Sequence, residues 1–255
     1  MVLHPLAQGG REQRRRAPIP AWQAVEKRQR QTAEAWWLIA QTDHAALAGD
    51  LAARLDFPSI PSLGSEVIRA IALHDAGWAQ FDNDEGTSPS AGTPLSFLAI
   101  PPAQFLVAWT DSINAAASTG ALGEIIVSEH FCRLGRNRLE SRSDSREDVR
   151  RLEEFLAKEA GRRGQLRAGL PQSADRLEML TDVLQFCDLV SLYLCCGADD
   201  PAEFPQRFGG AKIRVTCDED AFLFMPAVFG SGTVLGVSAR SYPGNRASVL
   251  PFLLS

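Results

Sequence analysis

Ile71-Ala72-Leu73-His74-Asp75-Ala76-Gly77-Trp78 sets the expectation for the whole of this 255-residue chain. Upstream, Val67, Ile68, Ile71 and Ala72 recur at helical spacing, so Ser65 to Asp75 is expected to form a buried helix that ends in a His-Asp pair before Gly77. Asp75 falls four residues after Ile71 and prolongs the stripe that faces the core. A carboxylate and an imidazole in such a place each need a partner, and a divalent cation satisfies both. Taken alone, the dipeptide is more simply read as a helix end. Its meaning depends on what the neighbouring segments bring.

Moving outward, Trp36 to Ala40 reads as a short strand or the approach to a helix, and Thr42 as the N-cap of a helix from Asp43 to about Leu55. That helix carries His44, Leu47, Ala48, Leu51 and Leu55 on one face, so His44 heads a core-facing stripe. After the doublet, Asp82, Asp84 and Glu85 open a long Ser/Pro/Gly-rich loop to Pro94, and loops of this length beside a site are often functional. Asp84 and Glu85 read as a solvated acidic turn, while Asp82 is kept as a candidate. Pro101-Pro102 should start a helix through Phe105, Trp109 and Ile113. Another, about Leu122 to Leu134, holds His130 at the edge of its apolar face. Residues 135–170 are charge-rich and are expected to form a mobile linker and an exposed helix. Ala174 to Cys196 forms the most apolar helix, and Asp188 interrupts its core face. Beyond it, Lys212–Thr216, Ala221–Phe229 and Thr233–Arg240 are β-rich runs separated by Asp and Gly turns.

These elements predict a mainly α fold, an all-helical bundle over residues 35–205, with a basic extension at 1–34 and a small antiparallel β element at 206–255 packed on it. Arg11, Arg14, Arg15 and Arg16 make the extension basic, and it is expected to be solvated or partly disordered. His4 within it is assigned no role. A net charge of −5 gives no general reason to expect nucleic acid or an anionic membrane, and Asp182 and Asp188 break the one segment apolar enough to suggest a membrane span. The five cysteines form no CxxC, and the expected setting is the reducing cytoplasm.

His44, His74, Asp75, His130 and Asp188 each have a bland explanation alone. Together they give a nitrogen- and oxygen-rich donor set suited to Zn, Mn, Fe or Ni, as one ion or two. The order His, His-Asp, Asp across helices resembles the HD superfamily of metal-dependent phosphohydrolases. That resemblance implies that His44, His74, Asp75 and Asp188 hold the metal. The phrases Gln41-Thr42-Asp43-His44-Ala45, His74-Asp75-Ala76-Gly77-Trp78, Ser128-Glu129-His130-Phe131 and Cys187-Asp188-Leu189-Val190-Ser191-Leu192 look more specifically like a bacterial family of uncharacterised proteins related to the HD fold. The likeness runs from about Ile39 to Pro243. Several HD nucleotidases carry a glutamate three residues after the doublet, whereas this chain has Trp78. Proton transfer would then fall to His130, Asp82 or Glu129, with Arg133 and Trp78 as substrate contacts. The leading expectation is a hydrolase of a small phosphoester or nucleotide. A di-iron oxygenase and a non-catalytic metal-containing scaffold are the alternatives. Oligomeric state is not legible.

Overall fold

The computed structural model describes residues 1–6, 17–82, 94–142, 144–218 and 221–255. The chain begins with β1 (Val2–Pro5), β2 (Ile19–Pro20), α1 (Ala21–Gln29) and β3 (Trp36–Ile39). A helical stretch follows: α2 (Gln41–Ala52), α3 (Ser65–Ala72), the short α4 (Ala79–Asp82), α5 (Pro102–Ala116), α6 (Ala121–Ser141), α7 (Arg146–Arg167) and α8 (Ala174–Cys195). It closes with β4 (Ala202–Phe208), β5 (Ala211–Asp218), β6 (Ala221–Met225), β7 (Thr233–Tyr242) and β8 (Ala247–Leu254).

All eight strands join one sheet in the order β1-β3-β7-β8-β6-β5-β4-β2. The expected mainly α, all-helical bundle with a small antiparallel appendage is corrected by this sheet. It is mixed, with β2 parallel to β4 and β6 parallel to β8, and it takes in three strands from the amino-terminal 39 residues. The reason lies in strand length. β1 and β3 have four residues each, too few to display a two-residue period, and their pairing with each other and with β7 is long-range. The residues read as a basic extension thus contain β1, β2 and α1, while Arg11, Arg14, Arg15 and Arg16 lie outside the described residues. Asp84 and Glu85 also lie outside them.

The sheet positions the site through α8. Most side chains of this helix from Leu177 onward are buried, while Glu178, Asp182, Gln185 and Asp188 form a narrow polar strip along it. Phe186 meets Phe204, Phe208 and Phe229 on the sheet side with ring centroids 5.1, 5.6 and 6.5 Å away. Two residues on, roughly 200° around the helix, Asp188 faces the other way, toward α2, α3 and α6. The charged segment after Leu134 holds less loop than expected: α6 runs on to Ser141, and α7 starts at Arg146 with the Ser145 hydroxyl capping it through Asp148 N–H.

Two glycines set the approach of these helices. A Cβ at Gly49 in α2 would stand 2.6 Å from the Cβ of Ala72 in α3. One at Gly77 would stand 2.1 Å from the carbonyl oxygen of Ala108 and 2.7 Å from the amide nitrogen of Ser112, both in α5. The turn after the doublet, Ala76–Trp78, is therefore seated directly on the α5 backbone, and Gly77 N–H donates to Ser112 Oγ at 3.0 Å.

Candidate metal centre

Four segments bring their functional groups together. α2 carries His44 within its first turns, the end of α3 leads into His74 and Asp75, α6 carries His130, and α8 carries Asp188. The three imidazoles and Asp75 are buried, and 14% of the Asp188 side chain is exposed. The α3 helix ends at Ala72, so His74 and Asp75 sit in a turn rather than on the last helical turn that their spacing predicted. The rings form a row centred on His74, with centroids 5.3 Å to His44 and 5.4 Å to His130.

The hydrogen bonds fix which ring nitrogens are available. Ser191 Oγ gives its hydrogen to the Asp188 carbonyl oxygen at 2.8 Å, so it accepts from His44 Nδ1–H at 2.9 Å. His74 Nδ1–H donates to the Ile71 carbonyl at 2.7 Å. With Nδ1 carrying the hydrogen in each ring, Nε2 is the nitrogen left to take a metal. His44 Nε2 lies 2.8 Å from Asp75 Oδ2. His74 Nε2 lies 3.3 Å from Asp188 Oδ1 and 3.9 Å from Asp75 Oδ2, buried and without an aligned hydrogen bond. A lone pair facing a carboxylate is repelled unless a proton or a cation stands between them.

The titration pattern follows from this arrangement. Burial works against a charged His74, but Asp75 and Asp188 outweigh it and hold its pKa up at about 9. Burial likewise opposes a charged Asp188, yet His74 Nε2 at 3.3 Å and the other imidazoles around it bring it down to about 2. A divalent cation can replace the proton held there. Imidazoles anchored through Nδ1, with carboxylates opposite Nε2, are the arrangement that presents histidine to a metal. The residues present therefore fit a metal ion. Two overlapping groups offer donor atoms within 4.8 Å of one another, His44-His74-Asp75 and His74-His130-Asp188.

His130 differs from the other two. Its Nε2 faces Asp188 Oδ2 at 3.9 Å, but its Nδ1 is buried with no hydrogen-bond partner. Burial drives its pKa down to about 4. It is a neutral imidazole lacking the rear anchor that His44 and His74 possess.

The remaining sequence candidates fall in different places. Trp78 lines a cavity of about 790 Å³ over the cluster, together with His44, Asp75, His130 and Asp188. Asp82 is buried behind the site, where Oδ2 accepts from Thr42 N–H at 3.3 Å, and burial raises its pKa. It caps α2 from outside. The helix starts at Gln41, and the expected Thr42 side-chain cap does not form. Glu129 is not brought to the cluster. It is held by Arg136 at 2.9 Å, Arg163 at 3.1 Å and Arg133 at 3.7 Å, since adjacent helical residues point about 100° apart. Arg133 pairs with Asp182 and Gln185, both in the cavity wall, rather than lining the cavity itself.

Three contributors were not read from the sequence. Ser191 orients His44, Gln41 lines the cavity three residues before His44, and Trp22 of α1 stands in the wall. The spacing of Gln41 from His44 is a usable signal for a shared helical face. Trp22, 99 residues before the start of α6 at Ala121 (121 − 22), offered none. No residue of the strands belongs to either donor group, and Glu219 and Asp220 lie outside the described residues. Among the described residues, no helix is long and apolar enough to cross a membrane.

Residues 29–239 match the family profile described as protein of unknown function (DUF3891), and the chain belongs to that family. No curated protein and no solved structure matches the chain.

Proposed function

We propose that this member of the family is a metal-dependent hydrolase of a small phosphoester or nucleotide. One observation carries the reading. A buried set of imidazoles and carboxylates, two of its rings anchored through Nδ1, reaches a cavity large enough for a small molecule through His44, Asp75, His130 and Asp188. His44, His74, Asp75 and Asp188 would hold a Zn, Mn, Fe or Ni ion, with the single free nitrogen of His74 common to both donor groups. Such an ion polarises a phosphoryl oxygen and lowers the pKa of water toward neutrality.

The protein's own groups supply the rest. Neutral at physiological pH, His130 is able to accept or relay a proton at Nε2, and its position in the cavity wall gives it access to substrate. Asp82 keeps α2, and with it His44, in register by taking the Thr42 amide. The burial of the three imidazoles and Asp75 strengthens each charge interaction there. The ligand order His44, His74-Asp75, Asp188 is similar to that of HD phosphohydrolases, and this similarity supports the reading at the level of the site. With Trp78 where several of those enzymes place a glutamate, His130 is assigned the proton-handling role.

The test is turnover of a phosphoester and nucleotide panel by protein loaded with each of the four metals, run under air and under nitrogen. Release of phosphate under both gases is expected. Oxygen-dependent product without phosphate release would replace the hydrolase with the di-iron oxygenase.

A further inference from the structure

We infer that the cavity over the cluster selects a phosphate monoester whose remaining part is a flat, largely apolar ring, and this inference rests on the hydrolase reading for which end of the ligand faces the cluster. Part of the cavity wall is aromatic. Phe105 and Trp109 stand 4.5 Å apart between centroids, Trp109 stacks on Phe131 at 5.1 Å and 21°, and Trp22 meets Phe97 edge-on at 6.3 Å. Trp22 remains 44% exposed although it lines the cavity, so one of its faces is open to a ligand. Adjoining ring faces of this kind hold planar groups through offset or edge-to-face contact.

The charges argue against a polyphosphate. Asp75, Asp182 and Asp188 all line the cavity. Of the arginines in the wall, Arg138 is engaged by both carboxylate oxygens of Asp144, at 2.7 and 2.8 Å, and lies over the Phe105 ring at 4.9 Å. Among the described residues Arg207 alone of the wall's cations lacks an ion pair, and it is exposed. Several phosphates in a row need several guanidinium or ammonium groups, and among the described residues the wall offers two arginines, one of them already paired. In the reaction a water oxygen forms the new bond to phosphorus, and the bond from phosphorus to the ring-bearing oxygen breaks. The departing oxygen takes a proton from that water, giving inorganic phosphate and a phenol.

The experiment measures binding apart from turnover. Phenylphosphonate and methylphosphonate, which are not hydrolysed, are titrated calorimetrically into the Mn²⁺-treated protein and into Trp22→Ala and Trp22→Phe. The phenyl compound is expected to bind about tenfold or more tighter than the methyl one, from the apolar area the ring removes from water. Trp22→Ala should shrink that preference by about threefold to tenfold, and Trp22→Phe, which keeps a ring, should restore most of it. Equal affinities for the two phosphonates, or a preference indifferent to Trp22, would overturn the inference. A ring preference without turnover of phenyl phosphate would leave this assignment standing and remove the hydrolase. Faster turnover of glycerol phosphate than of phenyl phosphate, with no ring preference in binding, would do the reverse.

Discussion

Replacing Gly77 by alanine adds a single methyl group two residues after Asp75, and the structure leaves no room for it. The new Cβ would lie 2.1 Å from Ala108 O, 2.7 Å from Ser112 N and 2.8 Å from Asp111 Cβ. Two of these neighbours are backbone atoms of α5, so no side-chain rotation relieves the contact, and the turn must move outward by about 1.4 Å to bring the 2.1 Å contact to an ordinary separation near 3.5 Å. Overpacking of this kind costs about 1–3 kcal/mol. Drawing the turn away also weakens the bond from Gly77 N–H to Ser112 Oγ, worth about 1 kcal/mol. The sum of about 2–4 kcal/mol should lower the melting temperature by about 5–15 °C in a domain of this size. Asp75 moves with the turn, so metal affinity should fall as well, by about tenfold or more. Gly161 in α7 is the control, because a Cβ there meets nothing within 4 Å. Gly161→Ala should stabilise the protein by up to about 1 kcal/mol through helix propensity alone. Circular-dichroism melts of both variants, with and without added metal, make the measurement. A Gly77→Ala protein that melts within 2 °C of wild type, ~1 kcal/mol or less, and keeps its metal affinity would refute the packing argument.

The other predictions concern the cluster itself. His130→Ala should keep most of the metal while lowering turnover by about 10²–10⁴-fold, whereas Asp188→Ala should lose metal and activity together; equal metal loss in the two would make His130 a ligand. In metal-free protein, the raised His74 pKa contributes stability that is whole below pH 6.5 and lost as pH rises through about 9. The depressed His130 pKa acts on the other side, so stability should climb between about pH 4 and 6.5, and a chelator-treated sample followed by denaturant titration should be most stable near pH 6.5. A flat profile from pH 6.5 to 9 would contradict the proton bridge between His74 and the carboxylates. Asp82→Ala removes the cap supplied to α2 and should cost about 0.5–2 kcal/mol with a weaker hold on metal, read from melts and metal titration; unchanged melting would show that the cap contributes nothing.

The helices that carry the cluster were legible because each shows a clear apolar face. His44 heads such a face in α2, His130 borders one in α6, and Asp188 interrupts one in α8. A polar residue set into an apolar stripe is visible in one dimension. Contacts supplied by another element are not. The capping of α2 by Asp82 joins residues 40 apart, and the capture of Glu129 by Arg163 depends on where α7 lies against α6. The sheet was misjudged for the same reason. β4 alternates buried Ala202, Phe204 and Phe208 with outward Glu203, Pro205 and Arg207, which a period-two reading can find. The pairing of β1 with β3, or of β6 parallel to β8, follows from no local pattern. An eight-stranded sheet therefore stood where a small appendage was expected.

The central claim is that His44, His74, Asp75 and Asp188 hold a divalent ion, and metal content tests it most directly. Wild-type protein, stripped with chelator and dialysed against Zn, Mn, Fe and Ni in turn, is assayed by mass spectrometry of the metal per chain beside His74→Ala. The account predicts at least one ion per wild-type chain for one of the four metals, and none above background for His74→Ala, since His74 belongs to both donor groups. Wild-type protein that takes up no metal, or a His74→Ala variant that folds and retains it, would contradict the account.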